Sequence, residues 1–129
     1  MITITIPEKT PTINHLYGQR KSGFGQTRFL KKEAIELRER IFGYVQEAIK
    51  DFPMDMLEGH KLSVEVSIFE NWLTKKSEIK KKDLLNREKF LIDSVFAALD
   101  IDDRFIYYYA TKKIQSEEEK AVITIKAIS

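Results

Sequence analysis

The chain has 129 residues, of which 43% are hydrophobic and 33% charged, with a formal net charge of +2 and no cysteine. That is enough apolar material for one ordinary core and too little for two, so residues 1–129 are expected to fold as a single domain. Without cysteine there is neither a disulfide framework nor a thiolate zinc site, and any metal must sit on oxygen or imidazole ligands.

The charge is unevenly spread. Residues 1–32 carry Lys9, Arg20, Lys21, Arg28, Lys31 and Lys32 against the single acid Glu8. Residues 75–89 carry seven basic residues against Glu78, Asp83 and Glu88, which leaves the remainder of the chain acidic. One lysine run is ordinarily a solvated face, but two basic segments in an otherwise acidic chain point toward an anionic partner.

At the start, Ile2, Ile4 and Ile6 alternate with Thr3 and Thr5, and Pro7 cannot continue a ladder, so the segment predicts a strand. This alternation is unlike the basic and then apolar run of a signal peptide. Nowhere does the chain approach the ~18 apolar residues of a membrane span, and a soluble cytoplasmic protein with no membrane partner is expected.

Residues 7–29 contain Pro11, Asn14, Gly18, Ser22, Gly23 and Gly25 with no sustained period, and read as a long loop whose basic residues make it a candidate ligand arm. From residue 31 to residue 50, Ala34, Leu37, Ile41, Tyr44, Val45 and Ala48 recur at helical spacing, predicting a first helix that ends before Pro53. Leu62, Val64, Val66 and Ile68 alternate with Ser63, Glu65, Ser67 and Phe69, the mark of a half-buried strand. A polar loop with Asn71 and the first lysines follows.

Residues 84–99 place Leu84, Leu85, Leu91, Ile92, Val95 and Leu99 on one side of a second helix, interrupted by Glu88 and preceded by Asp83 at the N-cap position. After an acidic turn with Asp100, Asp102 and Asp103, residues 105–109 and 121–128 read as two strands. The order β-α-β-α-β-β predicts an α+β domain: a mixed sheet, two main helices packed on one face, and a terminal hairpin.

Within the second helix, Asn86 and Asp93 lie within ~20° of each other and Lys89 ~60° away, so the three share a face. Asp83 would sit where the helix dipole and free N–H groups stabilise its anion. Asp102 and Asp103 lie just beyond the far end, followed by a strand able to bring them back toward Asp93 or Asp83. Each aspartate also has a plain structural explanation, as a cap, a solvated residue or a turn. Taken together, carboxylates flanked by lysines suit Mg²⁺ or Mn²⁺ and phosphodiester hydrolysis, with Lys89 meeting charge on the phosphate. His15 and His60 lie in unrelated loops, which leaves little scope for an imidazole base. Trp72, near the end of a strand, is expected in the core or at its rim.

Lys82-Asp83-Leu84-Leu85-Asn86-Arg87-Glu88-Lys89, Leu91-Ile92-Asp93-Ser94-Val95 and Ile101-Asp102-Asp103-Arg104-Phe105-Ile106 together resemble the core of the RusA-type Holliday junction resolvases. That family shows an Asp-x-Asp-Asn-x-x-Lys run, a helical Asp, and an Asp-Asp pair before a strand. The likeness reaches outward to Ile6-Pro7, to Pro11 through Tyr17, to Arg28-Phe29-Leu30-Lys31 and to Lys112-Lys113, and so covers nearly the whole chain; only the central block is specific.

The resemblance implies a homodimeric, metal-dependent endonuclease acting on branched DNA in recombination and repair. It assigns Asp83, Asp103 and Lys89 to catalysis and draws the metal ligands from Asp83, Asp93, Asp102 and Asp103. Asn14, Arg28, Lys31, Lys80, Lys81, Lys82, Asn86 and Arg87 would contact DNA. One position departs from the pattern: the family's second acid is here Leu85. This keeps a second reading open, a junction-binding architectural protein with weak or no turnover. A third reading is a small α/β module for RNA or protein in which the carboxylates are caps.

Overall fold

In the computed structural model of the chain, the alternating isoleucines form β1 (Ile2–Ile6), with Ile2, Ile4 and Ile6 buried and Thr3 and Thr5 exposed. The structure describes residues 1–11, 17–22, 25–80 and 85–128; the side chains of 17, 19–22, 25–29 and 85–86 fall outside that description. The other elements are β2 (Tyr17–Ser22), β3 (Gly25–Leu30), α1 (Lys32–Ile49), β4 (Leu62–Glu70), α2 (Leu85–Leu99), β5 (Ile106–Gln115) and β6 (Lys120–Ala127). Short 3-10 turns occur at Met54–Met56 and Asp103–Phe105.

The main sheet has the strand order β1-β6-β4-β5, with β4 and β5 parallel and the other two pairs antiparallel. Register aligns the apolar rows: Ile4 lies opposite Ile123, which in turn lies opposite Val66. These rows share one core cluster with Ala34, Leu37, Ile41 and Val45 of α1 and with Phe90, Leu91, Val95 and Phe96 of α2. Burying such side chains is the main favourable term in folding, at about 1.5–3 kcal/mol for each large one. Polar ties fix how the helices meet, since Gln46 Nε2 donates to the Ala98 carbonyl at 2.9 Å and Arg38 Nε to Ser94 Oγ at 3.4 Å. The result, among the described residues, is the expected single α+β domain with two main helices and a mixed sheet.

Two expectations are corrected. Part of the 7–29 loop is an antiparallel two-stranded sheet of β2 and β3, in register from Tyr17 with Leu30 to Ser22 with Gly25. Its two strands pair with each other and not with the main sheet, and their sequence carries no apolar alternation to mark them. The last two strands do not form a hairpin either, because β4 lies between them. The connection from β5 to β6 passes across the end of β4, where the Ser116 N–H donates to the Glu70 carbonyl at 3.0 Å. Strand β5 is thus an outer strand among the described residues, and α2 is the crossover that makes it parallel to β4.

Candidate active site

Residues Glu88, Lys89, Ile92 and Asp93 occupy successive turns of one side of α2 and form one wall of a surface cavity. The opposite wall depends on how α2 ends. Asp100 adopts a left-handed conformation, φ 58°. Its N–H donates to the Ala97 carbonyl, and the Ile101 N–H donates to that of Phe96, both at 3.2 Å. This is a Schellman closure with aspartate in the place glycine usually takes.

The chain then turns again, and the adjacent acids separate in role. Asp102 caps the 3-10 turn, its Oδ1 accepting from the Arg104 N–H at 2.9 Å, whereas Asp103 is exposed and faces the cavity. Ile106 and Tyr109, at the start of β5, also line it. The cavity encloses about 270 Å³, and among the described residues it is lined by three carboxylates, one ammonium, two isoleucines and one phenol. Burial is the largest influence on the Tyr109 hydroxyl and pushes its pKa well above the ordinary tyrosine value; the hydrogen bond from Thr111 opposes this, while neighbouring Glu88 adds to it. The phenol therefore stays neutral at physiological pH.

The structure brings together Lys89, Asp93 and Asp103 from the sequence-derived set. Asp102 is not among the lining residues. Asp83, Asn14, Lys81 and Lys82 lie outside the described residues, and of Arg28 and Asn86 only the backbone is described. Lys31 directly precedes α1 and is half-buried. Lys80 is also half-buried, its N–H donating to the Trp72 carbonyl at 2.9 Å where a small turn is closed by the Leu73–Ile79 bridge.

Arg87 corrects its assignment as a phosphate contact. Its side chain is 1% exposed and its guanidinium is ion-paired with buried Glu70 through Nη1, with Trp72 packed 5.2 Å from it. A cation enclosed in this way offers nothing to a phosphate on the surface. Trp72 is in the core, as expected, at 4% exposure.

Sequence reasoning missed Glu88, Ile92, Ile106 and Tyr109 as cavity residues, together with Glu70 as the partner of Arg87. A signal existed for two of them. Glu88 interrupts the apolar helical pattern, and Glu70 continues the inward-facing series Leu62, Val64, Val66 and Ile68, where a carboxylate needs a buried partner.

The cavity's donors are hard oxygens, the type that Mg²⁺ and Mn²⁺ prefer. Among the described residues, no group of three or more His, Asp or Glu is arranged to hold a metal by itself. The donor set therefore fits a divalent ion bound through one or two carboxylates, with water and phosphate oxygens filling the remaining positions.

A crossover helix and a strand start that enclose carboxylates and a lysine in an open cavity define a small α+β protein with a site suited to phosphodiester chemistry. The sequence profile of the family described as Endodeoxyribonuclease RusA matches residues 8–126. The chain belongs to this family of DNA endonucleases, whose members resolve Holliday junctions. No individual curated protein matches the chain. Among the described residues no helix is long and apolar enough to cross a membrane.

Proposed function

We propose that this chain is a divalent-metal-dependent endonuclease that resolves four-way DNA junctions in the cytoplasm as a homodimer. The observation that carries this reading is the convergence of Lys89, Asp93 and Asp103 in one open cavity of a RusA-family chain. Asp103 and Asp93, joined by Asp83, would hold Mg²⁺ or Mn²⁺. Such an ion, when bound, supplies Lewis acidity and a nucleophilic water at neutral pH.

The remaining roles belong to the protein's own groups. Lys89, exposed on α2 one turn before Asp93, presents an ammonium to the negative charge that grows on the phosphate. Asp93 and Asp103 approach from the helix and from the 3-10 turn, so a phosphodiester entering the cavity meets carboxylate donors on two sides. Lys31 and Lys80, together with Lys81, Lys82 and Arg28, supply backbone contacts that position the DNA without reading its sequence. A two-fold homodimer places two such cavities on a near-symmetric four-way junction.

Leu85 favours a second reading, a junction-binding protein that turns over slowly, because an apolar side chain stands where the family carries an acid. Incubating the protein with an end-labelled four-way junction and with a linear duplex of matching sequence, in Mg²⁺ and in Mn²⁺, separates the two. Cleavage of the junction in preference to the duplex is the expected result. Tight junction binding without cleavage in either metal would leave the second reading, and absence of binding would remove both.

A further inference from the structure

The lining of the cavity divides into two halves of different chemistry. Lys89, Asp93 and Asp103 suit a phosphate and its metal, but Ile92, Ile106 and the Tyr109 ring offer a phosphodiester nothing. Ile92 is buried in the core and Ile106 half-buried against it, so the open part of the apolar half is the Tyr109 ring, at 37% exposure, with the two isoleucines as its floor. At about 270 Å³ the cavity lies just below ordinary ligand sites, roughly 300 Å³ and larger, and has room for one flat heterocycle beside the charged half.

We propose that the apolar half receives an unstacked nucleobase next to the phosphate to be cut, stacked on the Tyr109 ring. This rests on the junction-nuclease reading and makes Tyr109 a specificity-determining residue. Three features favour a base over another apolar occupant. Any aromatic face accepts the π-face of a base, and nucleotides already unpaired cost least to unstack. Thr111 Oγ1 donates to the Tyr109 hydroxyl at 2.5 Å, which holds the ring in place, so little ordering is lost on binding. Tyr109 also lies on β5, an outer strand among the described residues, where an extruded base can approach from the side.

Neither neighbouring tyrosine shares this position. Tyr108 is in register with Ser63, on the sheet face opposite to Val64 and Tyr109, and Tyr107 falls at the register shift with Lys61 5.0 Å from its ring centre.

The test measures binding of four-way junctions in Ca²⁺, without cleavage, using the intact junction and a series with one abasic nucleotide at each position around the exchange point. Wild-type protein is expected to lose affinity about tenfold at one abasic position, the size of one base stack. Tyr109→Ala should bind the intact junction about tenfold more weakly and lose nothing further at that position, and Tyr109→Phe, which keeps the ring without the Thr111 hydrogen bond, should keep the wild-type loss at the abasic position. Because each variant is compared with itself on two DNAs, a general loss of folding cannot imitate the coupling.

Unchanged binding by Tyr109→Ala, or losses from the variant and the abasic site that multiply, overturns the inference. So does a shift of Tyr109→Ala to monomer in sedimentation, which would make the ring a contact between copies. Failure of the wild type to bind any junction overturns the junction-nuclease reading as well, whereas junction cleavage with no Tyr109 coupling overturns this inference alone.

Discussion

Arg87 and Glu70 form an ion pair in which each side chain is 1% exposed, linking the first turn of α2 to the last residue of β4. Arg87 Nε has no hydrogen-bond partner among the described residues, so the guanidinium depends on this carboxylate and on the Trp72 ring. The pair fixes where α2 begins on the sheet, and with it the placement of Lys89 and Asp93.

Removing one partner strands the other charge in the core. Arg87→Met is expected to destabilise the fold by about 3–5 kcal/mol, measured by urea denaturation, and the double change Glu70→Leu/Arg87→Met to recover much of that. Equal stabilities of wild type and Arg87→Met would show that the pair does not anchor the helix.

Glu8 accepts from Arg40 Nη2 at 2.8 Å and from the Tyr44 hydroxyl at 2.6 Å. The Arg40 hydrogen bond is the main cause that holds the Glu8 carboxyl below its ordinary value of 4.5, against the opposing effect of burial. A carboxylate with a depressed folded pKa stabilises above its unfolded pKa and loses that contribution as pH falls through the folded value. Glu8→Gln should therefore lower stability near pH 7, by less than the Arg87 change, and merge with wild type well below pH 4.5. Parallel stability curves across that range would contradict the linkage.

Lys89 is exposed and makes no ion pair among the described residues. Lys89→Ala should leave the melting temperature within a degree or so while lowering junction cleavage on the order of 10²-fold, with binding little changed. A loss confined to binding would make Lys89 a backbone contact only.

By resemblance, Leu85 stands where the RusA pattern carries a second acid. Leu85→Asp should strengthen metal binding and raise cleavage, read as a larger thermal stabilisation by Mn²⁺ and a faster single-turnover rate. No gain in either would mean that the residues already present complete the site.

Elements with a face on the core were legible in the sequence, since β1, β4, α1 and α2 each print a period of two or about 3.6. The β2–β3 ribbon lies outside the main sheet and prints none. The partner of β5 was not readable because alternation reports which face is buried and not which strand lies alongside. At the site, the helical stripe of Lys89 and Asp93 followed from spacing alone. The division of labour between Asp102 and Asp103 did not, because it depends on a cap within a single turn. Tyr109 was read as a β-forming aromatic, which it is; its place in the cavity depends on the crossover geometry of β5.

That division supplies the most direct test of the site: Asp103→Asn and Asp102→Ala compared with wild type on one labelled junction in Mn²⁺. Asp103→Asn should keep its stability and its junction binding while losing cleavage on the order of 10²-fold or more. Asp102→Ala should lose about 1 kcal/mol of stability with its cap and still cut within a few-fold of wild type. Undiminished cleavage by Asp103→Asn would contradict a reaction centred on this cavity.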